Sequence, residues 1–194
     1  MSDLGRLRKV AISAMIVGVV AVVTGAGTWA AFSSTTGNTN NAFAAGTVRI
    51  ADNDSGSSMM TLTDAYPGDS AQGCIYVTYS GSLDADVRLY GSTSGSLAQY
   101  LTLKVTRGTD PSPAFPGCGG FTPDAADYTG NGPGVLYQGD LDAYPGAWGG
   151  GVVDPGTWLT GESHAYRFEV TLQNNVAAEA LTSIASFTWE ARNQ

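Results

Sequence analysis

The stretch His164-Ala165-Tyr166-Arg167-Phe168-Glu169-Val170-Thr171-Leu172 (residues 164–172) decides the fold. His164, Tyr166, Phe168, Val170 and Leu172 fall on one face, and Ala165, Arg167, Glu169 and Thr171 fall on the other. Side chains alternate across an extended chain with a period of two, so this is a strand with one face turned inward. Working outward, Leu181, Ala185, Phe187 and Trp189 face one way, while Thr182, Ser186, Thr188 and Glu190 face the other. Upstream, Leu101, Leu103 and Val105 point inward, and Thr102, Lys104 and Thr106 outward. Val87 and Leu89 share one face of 86–90, and 71–79 is apolar on both faces, as a central strand would be. The chain holds 26 glycines and 8 prolines. Tyr66-Pro67-Gly68-Asp69 and Gly81-Ser82-Leu83-Asp84 mark turns between strands. The expected fold is all-β, an antiparallel β-sandwich or jelly roll, preceded by a signal-peptide helix.

Other expectations are weaker in pattern. Residues 41–50 read as a first strand, with Phe43, Val48 and Ile50 apolar, and residues 60–63 as a short one. Residues 108–156 form an irregular half, broken by the strand-like Val135-Leu136-Tyr137; a loop region this long is functional or hides short strands. Residues 176–181 suggest a short helical crossover.

The N-terminus is an export signal. Arg6, Arg8 and Lys9 form a positive region, residues 10–23 an apolar core, and small residues follow up to Ala30. A cut between Ala30 and Ala31 leaves small residues at the positions a signal peptidase reads. The competing reading is an uncleaved anchor, because no charge falls between Val10 and Phe32. The expected organisation is a signal peptide over 1–30, a mature N-terminal extension over 31–42, and a sandwich over 43–194 with Gly/Pro-rich loops at about 108–157. Residues 31–41 carry no acidic or basic side chain.

The formal net charge is −8. Loss of residues 1–30 removes Arg6, Arg8, Lys9 and Asp3, leaving six basic and sixteen acidic residues, net −10. Such a chain lacks the clustered cations that nucleic acid or an anionic membrane requires as a partner. Cys74 and Cys118 are the only cysteines. In an exported chain they are expected to form a disulfide, because a redox or metal thiol site wants a CxxC or a nearby histidine.

No catalytic, cofactor or metal site is expected. A catalytic zinc takes three protein ligands, usually two of them histidine, and the chain has one histidine, His164. It lies on an apolar strand face, where a satisfied core or edge histidine is expected. Asp52, Asn53 and Asp54 resemble the start of a calcium loop but lack its later glutamate, so they read as a turn. Trp148 and Trp158 sit in the Gly/Pro-rich loops, where exposed aromatics would bind a ligand. They support a competing reading of the chain as a surface adhesin or binding module.

Several short motifs in order carry a family resemblance: 27–33 (GTWAAFS), 43–48 (FAAGTV), Tyr66-Pro67-Gly68-Asp69, Gly81-Ser82-Leu83, and 186–191 (SFTWEA). Together they resemble the TasA/camelysin family of secreted biofilm-matrix proteins, best over 24–90 and 181–191. The glycine-rich middle and the cysteine pair look more like an actinobacterial branch. The resemblance implies export, cleavage by a dedicated signal peptidase and a jelly-roll body. It also implies a secreted or cell-surface fibre built head to tail, with the mature N-terminal segment of one subunit becoming a strand in the next. Ala31, Phe32, Ser33 and Phe43 are the expected polymerisation residues, the two phenylalanines as apolar anchors. The expected partners are other copies of the chain, the signal peptidase, and matrix or cell-surface components. Camelysins also carry a metallopeptidase label, a rival that the single histidine argues against.

Overall fold

Ten strands occur among the described residues. The computed structural model describes residues 33–36 and 47–194, all within one unit, Phe32–Gln194. The signal, its cleavage point at Ala30 and Ala31, Phe32 and Phe43 lie outside the described residues. In chain order the strands are β1 (Ser33–Thr36), β2 (Ile50–Asp52), β3 (Ser70–Tyr79), β4 (Ala85–Ser94), β5 (Leu101–Thr109), β6 (Thr122–Pro123), β7 (Val135–Asp140), β8 (Val152–Val153), β9 (Ser163–Leu172) and β10 (Ile184–Asn193). One sheet runs β1-β10-β4-β8; the other runs β2-β3-β9-β5-β6, with β7 also on β5. All the strand pairs are antiparallel. The alternating stretch that opened the sequence reading is β9, at the centre of the second sheet, between β3 and β5.

The core lies where the inward faces meet. Tyr166, Phe168, Leu103, Val105, Val77 and Tyr79 from one sheet, and Val87, Leu89, Trp189 and Ala191 from the other, are buried. Aromatic rings join the sheets: Phe168 lies 4.4 Å from Phe187 and 5.6 Å from Trp189, and Tyr166 lies 5.4 Å from Trp189 between centroids. Offset and edge contacts at this spacing add to the burial of large apolar surfaces.

Two strand expectations change, and a helical one shortens. In the described part of 41–50, extended pairing begins only at Ile50. Residues 60–63 form no strand, because the margin of β3 that they would pair with is already satisfied. The Tyr76 amide donates to Asn53 Oδ1 at 2.9 Å and the Cys74 amide to the Pro116 carbonyl at 2.9 Å. Met59, Met60 and Leu62 pack on the core by side chain instead. The expected crossover at 176–181 is one 3-10 turn, Val176–Ala178, capped by Asn175 Oδ1, which accepts from the Ala177 amide at 2.9 Å.

The irregular half contains β6, β7 and β8 and is fastened at two places. Cys74 and Cys118 form a disulfide. Cys74 stands opposite Arg167 in the β3–β9 register, on the face turned away from the core, so the bridge pins the 110–121 segment over that face. The second fastening is a buried polar cluster around Arg107. Its Nε donates to Asp124 at 2.6 Å, its Nη1 to Asp154 Oδ1 at 2.6 Å and to the Pro155 carbonyl at 2.7 Å, and its Nη2 to the Tyr128 hydroxyl at 2.7 Å. Asp154 also accepts from Trp158 Nε1 at 2.9 Å and from the Tyr166 hydroxyl at 2.6 Å. Its own amide donates to the Val87 carbonyl, so one residue ties the loops to both sheets.

Trp158 therefore corrects the expectation of an exposed ligand-binding aromatic: it is 0% exposed and spends its N–H on Asp154.

Candidate functional site

The margin of the first sheet is where sequence and structure converge. β10 is paired with β4 along its whole length, from Ile184↔Ser94 to Asn193↔Ala85. On its other side, β1 pairs with Trp189–Arg192 alone, in the register Ser33↔Arg192, Ser34↔Ala191, Thr35↔Glu190 and Thr36↔Trp189. Among the described residues no strand covers the same side of Ile184–Thr188. β1 also runs beside β2, the marginal strand of the other sheet, so it sits at the seam between the two layers. The first described strand of the chain is thus held next to the last one by main-chain pairing. Such pairing requires extended backbone rather than particular side chains, and a Ser/Thr tetrapeptide satisfies that requirement.

β10 is a rigid template for this pairing because both of its faces are anchored. Inward, Trp189 and Ala191 are buried in the core. Outward, Glu190 is only 4% exposed, and its carboxylate accepts from the Tyr90 hydroxyl and from Arg192 Nε, both at 2.7 Å. Burial, with the hydrogen bond and charge of Glu190, pushes the Tyr90 hydroxyl up to about 12, so it remains a donor. Trp148 folds over this face: the Arg192 guanidinium lies 4.4 Å and that of Arg88 5.1 Å from its ring, and Arg88 Nη1 donates to the Trp148 carbonyl at 3.0 Å. Cation–π stacking occupies the indole that the sequence offered as a ligand platform.

The remaining candidates fall elsewhere. His164 Nε2 lies 2.9 Å from Glu162 Oε1, with its ring edge-on to Trp158 at 4.7 Å, so it is a satisfied histidine near the start of a central strand. No group of three or more His, Cys, Asp or Glu able to hold a metal ion occurs among the described residues. The described residues do not fit a catalytic zinc. Asn53 Oδ1 accepts from the Tyr76 amide within β3, and Asp54 Oδ1 accepts from the Gly56 amide at 2.7 Å, which makes 52–56 the turn expected. Of the expected linking residues, Ser33 is placed on β10. The receiving strand itself was not read from the sequence. Its alternation marks a strand but carries no sign of which margin it lies at, since that depends on the order of strands in the sheet.

A family model described as camelysin metallo-endopeptidase matches residues 6–97. No curated protein matches the chain.

Proposed function

From the premise that residues 6–97 belong to the camelysin family, which is related to TasA, we propose that this chain is a secreted structural protein. In this reading the mature chain, released by cleavage after Ala30, polymerises head to tail into extracellular or cell-surface fibres of a matrix. The observation that supports it best is the pairing of Ser33–Thr36 with β10 at the margin of a sheet. A strand held at a margin by main-chain hydrogen bonds can leave its own β10 and take the same place on a neighbour's. Carried on one for one, the register Ser33↔Arg192 sets residues 32–41 of the neighbour against all ten residues of Ile184–Asn193. That stretch is the uncharged part of the extension, and it would cover Ile184, which is 77% exposed. Each subunit then gives one strand and receives one, a heterologous contact that does not close and so builds filaments.

Electron microscopy of two proteins tests this. The chain beginning at Ala31 is expected to form fibres, and the chain beginning at Phe43, which lacks β1, to remain monomeric. Fibres from the shorter protein would overturn the linking-strand reading. Monomers from both would favour an adhesin. The family description keeps a peptidase as the second reading: casein hydrolysis abolished by EDTA would support it, and its absence in the metal-supplemented protein would count against it.

A further inference from the structure

One exposed turn bears chemistry that the assembly reading does not use. Asn131-Gly132 is the only Asn-Gly pair in the chain. It sits at the tip of the turn closed by the bridge Asp127↔Pro133 and by the Gly134 amide, which donates to the Ala126 carbonyl at 2.7 Å. Asn131 is exposed, and its side-chain amide makes one hydrogen bond, from Nδ2 to Thr129 Oγ1 at 3.0 Å. Gly132 has φ of 113° and open space around the position where a side chain would start. A glycine here has no side chain to crowd attack by its own amide nitrogen, whose N–H is directed at the Asp127 carboxylate.

We infer that Asn131 is a self-modification site, at which the Gly132 amide nitrogen displaces ammonia from the Asn131 side chain. The amide nitrogen gives up its proton to water or hydroxide and attacks Cγ of Asn131. The new N–Cγ bond closes a five-membered succinimide, the Cγ–Nδ2 bond breaks, and the nitrogen leaves as ammonia after taking up a proton from solvent. One water molecule then opens the ring at either carbonyl, giving aspartate or isoaspartate. The net change is one water consumed and one ammonia released, with no oxidant and no cofactor.

The consequence follows from what the turn holds. Asp127 Oδ1 accepts from the Gly130 amide at 2.8 Å and the Thr129 amide at 3.3 Å. Against the raising effect of desolvation, the backbone N–H groups of Gly130, Thr129, Gly132 and Asn131 keep this carboxyl below its usual range, so it is ionised at neutral pH. Conversion of Asn131 places a second carboxylate on the same turn, and the isoaspartyl form also lengthens the backbone by one atom. Both work against the hydrogen bonds converging on Asp127, which is adjacent to Tyr128, a member of the Arg107 cluster. On a chain exported as proposed above, the turn would then act as a slow chemical clock.

The test is prolonged incubation of the purified full chain at neutral pH and physiological temperature, beside the N131Q variant and a synthetic peptide spanning 127–135. Isoaspartate is read by enzymatic methylation and peptide mass spectrometry. The expected result is isoaspartate accumulating at residue 131 in the wild type and none at 131 in the variant. An unchanged Asn131 in the folded chain while the peptide converts would overturn the inference, since the fold would then be protecting the site. Conversion confined to other asparagines would overturn it too.

Discussion

Replacing Asp154 with alanine is expected to lower the unfolding free energy by about 3–5 kcal/mol, the cost of breaking a buried ion pair from one side. The side chain is 0% exposed and all three of its side-chain partners are donors: Arg107, Trp158 and Tyr166. Alanine leaves Arg107 with Asp124, Tyr128 and a backbone carbonyl, and it strands two neutral donors in the interior. An orphaned buried donor costs about 1–3 kcal/mol. Against a typical total of about 5–15 kcal/mol, this brings the domain close to the limit of folding. Urea unfolding followed by tryptophan fluorescence measures it, with a lower midpoint and an unchanged slope expected. Asp154→Asn keeps the volume but puts an NH2 among groups that all donate, so it recovers only part of the loss. A change below about 1 kcal/mol for the alanine variant would place the cluster among interactions that merely break even against desolvation.

The same cluster sets an acid limit. Desolvation raises the Asp124 carboxyl, but hydrogen bonds from Arg107 and Tyr128 outweigh it and hold the carboxyl below the ordinary 3.8. A carboxyl lowered in the folded state contributes stability that is fully present above 3.8 and is lost as the pH falls through the lowered value. Stability between neutrality and pH about 5 should therefore be insensitive to this group, with the loss concentrated below its ordinary range. Asp124→Asn should flatten that part of the curve, and an unchanged acid slope would refute its role. At the other end, burial and Asp154 hold the Tyr166 hydroxyl well above 10, so that donor persists through any physiological alkaline range.

What could be read in the chain divides along a physical line. Strands with one buried face, β5, β9 and β10, declare themselves by alternation, and most of the residues read as inward are buried; His164 is not in the core, Ala185 and Phe187 are only partly buried, and Leu181 lies before β10 begins. The disulfide was legible because a chain with two cysteines has one pairing within itself. The Arg107 cluster was not. Its members come from β5, from the loops around 124–128 and 154–158, and from β9. No local period links an arginine at a strand end to two aspartates so far along the chain. Trp158 looked exposed because glycine and proline surround it, yet composition describes the backbone's freedom and not the direction of a side chain. The strand margin at β10 was hidden for a related reason. Register and strand order are set by long-range pairing, so Ser33 and Arg192 become neighbours only when the sheet forms.

The second large effect is expected from the disulfide. Cys74 and Cys118 are 44 positions apart, and closing a loop of that length restricts the unfolded chain by about 4 kcal/mol in the entropy model. Reduction of the wild type with dithiothreitol should therefore move the urea midpoint down strongly, while Cys118→Ala should already sit at the lower midpoint and show no further response. The folded state should survive either treatment in the absence of denaturant, because the segment keeps other holds. The Cys74 amide still donates to the Pro116 carbonyl at 2.9 Å, and the Arg167 guanidinium still stacks on Phe121 at 5.0 Å. The choice between Cys118→Ala and Cys74→Ala separates two causes. Cys118 is part-exposed, so its loss reports the loop constraint nearly alone. Cys74 is 5% exposed, so its truncation adds a packing defect to the same loss. If the two variants have equal midpoints, packing at Cys74 is negligible and the bridge acts through the unfolded chain. If reduction leaves the wild-type midpoint unmoved, the loop is held by the Pro116 hydrogen bond and the Arg167–Phe121 stack, and the bridge contributes nothing to stability.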